Sequence, residues 1–214
     1  MKRSGLIQTW KALGAPTGAN NALVCAQDGV DIARTIKSSL SPARLLLLDS
    51  QPPPPKARFE TTDQSLEQLA QVQAGEYDLV ACGPGWELGD LSQIRSRLSA
   101  IHTLLAPDGI LVGEIATFAA PHGDGDFNDL LFPHLARAGE LTPDRQIRPA
   151  LTASSWMLLI QSSGFHPHAV DDAGGQSLPL DFVDLHKARL AAFDAVELTT
   201  GVLRFAARQR ELSE

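Results

Sequence analysis

Residues 77–114 read YDLVACGPGWELGDLSQIRSRLSAIHTLLAPDGILVGE, and this stretch decides the fold. Its two short apolar runs, at 77–82 and 109–114, are bounded by glycine and proline, which is typical of parallel strands covered on both faces. Between them, apolar residues recur at three- and four-residue steps and predict a helix with one apolar face: Leu91, Ile94, Leu98, Ile101 and Leu105. Pro107-Asp108-Gly109 is expected to stop the helix and turn the chain into the second strand. The stretch therefore predicts one strand–helix–strand unit.

This unit resembles part of a known enzyme family. The segments YDLV, LLAPDG and ILVGE are similar to strand four, the end of helix four and strand five of class I S-adenosylmethionine-dependent methyltransferases. LTASSWMLLIQSSGF (151–165) resembles that family's helix before strand six, and VLRFAARQ (202–209) resembles its last, antiparallel strand. The resemblance implies a Rossmann-like α/β fold, with a seven-stranded, mostly parallel sheet and helices on both faces.

Length and composition limit the function classes. The 214 residues suit one α/β domain, with residues 1–20 as an N-terminal helical extension and 171–198 as an insertion before the last strand. A net charge of −7 disfavours nucleic acid as a partner, although a local basic patch stays open. No apolar run is long enough to span a membrane, and two cysteines give no disulfide scaffold, so a cytoplasmic protein is expected.

The N-terminal half has the order of a nucleotide-binding unit. A strand at 22–26, a helix at 30–40 and a strand at 44–49 ending in Asp49 follow the doubly wound pattern. In the resembled family, the acid ending strand two binds the ribose hydroxyls of the cofactor, and Asp49 stands at that position. A second acid near the adenine aligns with Asp63, for which a plain surface aspartate at a strand end is the alternative.

The turn after the first strand departs from the family's glycine-rich sequence. It reads Cys25-Ala26-Gln27-Asp28-Gly29, in which only Gly29 keeps a glycine position, and each side chain narrows the room for a ligand. Asp28 would also repel the cofactor's carboxylate. The resemblance still implies S-adenosylmethionine as the cofactor. The residues predicted to bind it are Ala26, Gln27, Gly29, Asp49 and Asp63.

A proline-rich segment follows the second strand. Only residues 50–57 separate Asp49 from the next predicted strand, at 58–62, and four of these eight are proline. A crossover helix needs about a dozen residues, so the helix that the family has here does not fit. Eight residues in an extended strap still reach about 25 Å at about 3.1 Å each, enough to return the chain for a parallel strand.

Three further residues are candidates for chemistry. His122, in the loop after strand five, is the candidate general base, because an unperturbed histidine has a near-neutral pKa. A solvated loop histidine is the alternative. Pro84 and Trp86 match part of the Pro-Pro-aromatic motif of methyltransferases that act on planar amino groups. Trp86 is therefore predicted to stack on a planar substrate or to cap the sheet edge.

The two cysteines fall near the carboxyl ends of strands that are neighbours in this fold. Cys25 and Cys82 are expected to lie close together as buried reduced thiols, rather than as a redox or metal pair. No metal site is predicted.

Two functions follow from these observations. The first is methyl transfer from S-adenosylmethionine to an unidentified small molecule. The second is a catalytically inactive protein of the same fold that serves as a binding or assembly partner, which the missing glycines and helix favour. The partner is then a small molecule or a protein, and a homodimer stays open. A nicotinamide-dependent oxidoreductase is disfavoured, because no Gly-x-Gly-x-x-Gly follows the first strand.

Overall fold

A seven-stranded mixed sheet runs through the described part of the chain, which in this computed structural model comprises residues 3–26, 29–49, 51–119, 151, 153–177 and 199–210. The strands are β1 (Asn21–Cys25), β2 (Arg44–Leu48), β3 (Glu60–Thr62), β4 (Tyr77–Cys82), β5 (Leu105–Ala119), β6 (Phe165–Ser177) and β7 (Thr199–Gln209). They lie in the order β3-β2-β1-β4-β5-β7-β6. The first five are parallel, and β7 is antiparallel to both its neighbours. The predicted mostly parallel sheet with an antiparallel last strand is confirmed.

Helices cover both faces of this sheet, as predicted. They are α1 (Arg3–Ala12), α2 (Gly29–Ser39), α3 (Leu66–Val72), α4 (Leu91–Leu104) and α5 (Ala153–Ser162). Successive strand residues point to opposite faces, so β1 sends Val24 toward α1 and α2, and Cys25 toward α3, α4 and α5. Each strand in the middle of the sheet is therefore apolar on both sides, which explains the continuous apolar runs. Within the described residues, no helix has the length and apolarity that crossing a membrane requires.

Helix α4 begins at a capping box. Asp90 Oδ1 accepts from the amide of Gln93 at 2.8 Å, and Gln93 Oε1 accepts from the amide of Asp90 at 3.0 Å. The predicted apolar stripe is confirmed at Ile94, Leu98 and Ile101, which are buried on this helix. Its predicted last member, Leu105, is buried as well but is the first residue of β5 rather than part of the helix. The prediction that Leu91 belongs to the buried stripe is wrong. Leu91 is the first helical residue and is 39% exposed, so the buried stripe begins one turn later.

The predicted turn at Pro107-Asp108-Gly109 is instead an irregularity inside β5. Strand β5 starts at Leu105, directly after α4, and pairs Leu105 with Tyr77 and Ile110 with Leu79. Residues 106–109 therefore bulge opposite a single residue of β4. A Cβ at position 109 would lie 2.8 Å from the Tyr77 carbonyl oxygen, so only glycine fits there.

The connection after β2 contains no helix in its described part, residues 51–59, as the proline count predicts. Strand β3 nevertheless pairs in parallel with β2, and the amide of Asp49 donates to the Thr62 carbonyl at 2.9 Å to extend the ladder. The predicted parallel third strand is confirmed, but it begins at Glu60 rather than at Arg58. Phe59, just before it, turns into the core beside α1 and α2.

Strand β6 is longer than predicted. It runs to Ser177, although the sequence suggested that an insertion starts at 171. The eleven residues of β7 provide the extra partners, up to the pair formed by Ser177 and Thr199. Any insertion thus begins after Ser177, and residues 178–198 lie outside the described part of the chain.

Candidate functional site

An open cleft of about 540 Å³ lies at the carboxyl ends of the parallel strands. Ala26 lines it just after β1, Asp49 just after β2, Asp63 just after β3, and Trp86 in the loop after β4. Residues of α3 and α4 form the opposing wall. Sheets of this class bind ligands at this edge, because strand ends and helix ends leave a crevice there.

The cleft brings together four of the residues predicted to bind cofactor or substrate: Ala26, Asp49, Asp63 and Trp86. Gly29 and Pro84 do not line it. Gln27 and His122 lie outside the described residues, so their proposed roles in cofactor binding and proton transfer stay predictions.

Asp49 is held at the junction of β2 and β3 by the backbone. Its Oδ1 accepts from the amide of Gln51 at 2.9 Å, and its own amide donates to Thr62. The first contact orients the carboxylate, and the second fixes the backbone of Asp49 at the rim of the cleft. A carboxylate accepts on both of its oxygens, so this one can still take hydroxyl donors from a ligand.

Gly29 serves the packing of α2 on the sheet. It is buried at the start of the helix, where a Cβ would overlap Leu47 Cδ1 on β2. Close contact between helix and strand is one of the standard reasons for a glycine in a nucleotide-binding turn. This contact explains the glycine without any ligand.

Two other glycines, Gly83 and Gly85, lie beside or in the lining of the cleft. The sequence indicated only that the strand at 77–82 ends there. A Cβ on Gly83 would lie 2.8 Å from Ala26 Cβ, because its amide donates to the Cys25 carbonyl and holds β1 and β4 together. Gly85 lines the cleft with φ +94°, a conformation that favours glycine. The spacing Gly-Pro-Gly after a strand was the available signal for both.

Trp86 is a wall of the cleft and part of the core at once. Its Nε1 donates to the Glu114 carbonyl at 3.1 Å, and its ring lies 6.3 Å from that of Trp156, tilted by 47°. Only 5% of the side chain is exposed. These contacts favour the interpretation that Trp86 caps the sheet edge, while stacking on a substrate stays a prediction.

Two charged side chains, those of Arg97 and Glu87, bind the backbone of the loop that carries Trp86. Arg97 Nη1 donates to the carbonyls of Trp86, at 2.9 Å, and Leu88. The buried carboxylate of Glu87 accepts from the amide of Gly85 at 2.9 Å. The sequence did not point to either residue, because a charged side chain on a helix or in a loop is usually exposed to solvent.

Carboxylates dominate the charge of the cleft. Asp49, Asp63 and Glu67 line it, against the single guanidinium of Arg97. Burial works to raise the pKa of Glu67, but hydrogen bonds from its own backbone, Ser65 and Ser96, together with Arg97, outweigh burial and lower that pKa. Ser96 Oγ lies 3.2 Å from Glu67 Oε1. Glu67 is therefore ionised at neutral pH, and the cleft suits a ligand with positive charge.

Cys25 and Cys82 are register partners across β1 and β4, which confirms that they lie close together. Both are buried free thiols. Burial, and then the hydrogen bond with Cys25, raises the pKa of Cys82 well above its usual range. Cys82 therefore packs as a neutral thiol. In the part of the chain that the structure describes, no three His, Cys, Asp or Glu side chains cluster as a metal site would require.

Known structures share this architecture over nearly the whole chain. A candidate methyltransferase from Bacillus halodurans C-125 superimposes with a TM-score of 0.66 at 13% identity, covering 97% of this chain and 99% of that one. The 1,6-didemethyltoxoflavin-N1-methyltransferase of Burkholderia thailandensis, solved with S-adenosylhomocysteine, gives 0.55 at 17% identity, over 98% and 77%. A methyltransferase from Archaeoglobus fulgidus that depends on S-adenosylmethionine gives 0.59 at 9% identity, over 97% and 92%.

The chain has the class I methyltransferase fold. No protein-family profile and no curated protein matches its sequence. At identities of 9–17%, the likeness establishes the fold alone, as expected for an architecture that hosts many reactions.

The described residues depart from the methyltransferase pattern at two places, of which the first lines the cleft. The first turn has Cys25 and Ala26 where the family is rich in glycine, and the helix between β2 and β3 is replaced by the proline strap. Neither closes the cleft, because Gly85 lines it without a side chain, and the proline strap, residues 51–59, still brings β3 into register with β2. The methyltransferase fold thus keeps its ligand edge open in the described residues.

Proposed function

We propose that this protein binds S-adenosylmethionine in the cleft and transfers its methyl group to a small molecule. One observation carries the proposal: Ala26, Asp49 and Asp63, from three different strand ends, line one open cleft. The class I methyltransferase resemblance implies cofactor contacts at these positions.

The cleft fits the cofactor in size and chemistry. Its volume of about 540 Å³ lies within the usual range for small-molecule sites, about 300–1,000 Å³. The carboxylate of Asp49 is placed to accept both hydroxyls of a ribose, and Leu48 and Leu66 offer apolar surface beside it for an adenine ring. The excess of carboxylates complements a sulfonium and an ammonium group.

The chain's own part in catalysis is positioning. S-adenosylmethionine, when bound, supplies an electrophilic methyl group that a lone pair of the acceptor can attack. Asp49 and Asp63 hold the adenosine end, while Trp86 and the loop fixed by Arg97 close one side and exclude water. We propose His122 as the base that takes the acceptor's proton.

Calorimetric titration with S-adenosylhomocysteine tests cofactor binding. We expect saturable binding in the micromolar range, and at least a tenfold loss on Asp49→Ala, about 1.4 kcal/mol of binding free energy. Asp108→Ala is the matched control, because this exposed aspartate lies in the bulge of β5 and does not line the cleft. Absence of heat at millimolar ligand contradicts the proposal.

The alternative is a protein of this fold that has lost catalysis and acts as a binding partner. The first turn, with Cys25 and Ala26 in place of glycine, favours it. Release of S-adenosylhomocysteine from S-adenosylmethionine, measured with a panel of small amines, phenols and thiols, separates the two. Turnover that His122→Ala reduces supports the enzyme. Cofactor binding without turnover on any acceptor supports the alternative.

We also propose a cytoplasmic location. Cys25 and Cys82 face each other as register partners and are free thiols, which is the expected state in a reducing compartment.

A further inference from the structure

A second pocket, of about 210 Å³, lies between α2 and the proline strap. Four cationic side chains line it, Arg34 and Lys37 from α2 and Lys56 and Arg58 from the strap, and we call it the basic pocket. Phe59 forms an apolar part of its lining and is itself only 7% exposed. No residue of the basic pocket lines the cleft at the strand ends.

The charge of the basic pocket is opposite to that of the whole chain. The sequence has 25 acidic and 18 basic residues, yet all the charged residues lining this pocket are basic. Arg34 has a loose, exposed ion pair with Asp31, with 3.5 Å between Nη1 and Oδ1. Lys37 Nζ donates to the carbonyls of Pro42 and Ala43, the latter at 3.0 Å, so its ammonium group is already hydrogen-bonded to the backbone. Within the described residues, the side chains of Lys56 and Arg58 have no hydrogen bond or ion pair. Their charges are therefore available to a ligand.

Lys56 adopts a backbone conformation that disfavours its residue type. Its φ is +65°, and it is the third residue of a tight turn in which the Ala57 amide donates to the Pro54 carbonyl at 2.9 Å. Glycine or asparagine is the usual choice at such a position. A lysine there is strained, and strain of this kind clusters at binding sites. The side chain of Lys56, which lines the pocket, gives a reason for the strain.

The pocket exists because the strap replaces a helix. A crossover helix would lie beside α2 on this face of the sheet, whereas nine described residues of extended chain and turns, 51–59, cross it instead. The strap also presents Lys56 and Arg58 two residues apart, opposite Arg34 and Lys37, which are three apart and so share one side of α2. The departure from the usual fold thus creates the arrangement of charges.

We propose that the basic pocket binds a phosphate-bearing ligand. Lys56, Arg58 and the loosely paired Arg34 match a multivalent oxoanion better than a single carboxylate, and arginine donates to phosphate through two parallel N–H groups. The volume is below that of ordinary drug-sized sites, about 300 Å³ and above, so the ligand is of the size of a diphosphate or a small phosphate monoester. Phe59 offers a surface for a short apolar group attached to the phosphate.

Titration of the full chain with inorganic pyrophosphate and with phenyl phosphate tests this site. We expect saturable one-to-one binding of both. Arg58→Gln should weaken it at least tenfold, and Lys56→Gly should weaken it similarly while raising the melting temperature, because glycine relieves the strained turn. Arg95→Gln, an exposed arginine of α4 that lines neither pocket, removes the same charge and should change neither quantity.

Three results would overturn the proposal. The first is that binding does not saturate at millimolar pyrophosphate. The second is that the wild type, Arg58→Gln and Lys56→Gly bind pyrophosphate with equal affinity. The third is that Arg95→Gln loses as much affinity as Arg58→Gln, which would indicate general charge attraction. Titration of Arg58→Gln with S-adenosylhomocysteine keeps the two sites apart, since its affinity should match that of the wild type. Unchanged thermal unfolding of Arg58→Gln shows that the variant is folded.

Discussion

Glu114 and Arg204 face each other across β5 and β7, and Arg204 Nε donates to Glu114 Oε2 at 2.8 Å. The two side chains are nearly buried, with 12% and 7% exposed. The carbonyl of the same Glu114 accepts from Trp86 Nε1. The ion pair therefore links the antiparallel strand β7 to a wall of the cleft.

Removing one partner of this ion pair should lower the free energy of unfolding strongly, whereas replacing both should lower it little. Glu114→Leu leaves a buried guanidinium without this carboxylate, so we expect a loss of about 3–5 kcal/mol in the free energy of unfolding. The double variant Glu114→Leu with Arg204→Met should recover most of that loss, because the charge is gone. Urea unfolding of the four proteins measures both. Additive losses in the double variant would contradict the pairing.

Gly29→Ala tests whether this glycine serves packing. The added methyl overlaps Leu47, and overpacking a core costs about 1–3 kcal/mol of stability. In the double variant with Leu47→Ala, the penalty of the added methyl should largely disappear. Affinity for S-adenosylhomocysteine should change little. A stable Gly29→Ala protein that no longer binds the ligand would instead assign Gly29 to the cofactor site.

Cys82 should make stability fall with rising pH. Burial raises the pKa of Cys82 well above its usual range, so the thiol stays neutral in the folded chain while it ionises in the unfolded chain above about pH 8.5. One pH unit higher, near pH 9.5, the loss is about 1.4 kcal/mol. Burial likewise raises the pKa of Tyr77, to about 12, and Tyr77 affects stability only above about pH 10.

The check is the free energy of unfolding between pH 7 and pH 9.5 under reducing conditions. Cys82→Ala removes the thiol, so its profile should be flatter than that of the wild type. Parallel profiles would show that Cys82 ionises equally in both states.

Trp86→Phe separates the two roles of this side chain. It removes the donor to the Glu114 carbonyl and leaves a small cavity beside Trp156, so we expect a loss of about 1–3 kcal/mol in stability. If Trp86 is mainly a wall, the turnover of a planar acceptor should persist in the folded variant at low temperature. Loss of turnover with full stability would favour stacking on the substrate.

Local sequence patterns predicted most of the sheet. The strand at 77–82 follows from a short apolar run and helix α4 from apolar periodicity. Counting residues across the proline strap was enough to predict a parallel β3 without a helix. The prediction for Leu91 was wrong because periodicity shows which face of a helix is apolar but not how much of that face contacts the core. The longer β6 was missed because its pairing depends on β7, a distant segment.

The part of the cleft that lies at strand ends was predictable from the sequence. Asp49 and Asp63 end strands, so topology alone brings them to one edge. Arg97 fixes a loop through carbonyls nine and eleven residues away, and Glu114 pairs with a residue ninety positions on. Contacts of this kind arise from packing and leave no local pattern in the sequence.

A crystal structure of the chain with S-adenosylhomocysteine tests the central proposal most directly. We predict density in the cleft at the carboxyl ends of β1 to β4, with both ribose hydroxyls within hydrogen-bond distance of the Asp49 carboxylate and the adenine between Leu48 and Leu66. A cleft that stays empty at saturating ligand, or a ligand bound away from Asp49, would contradict it.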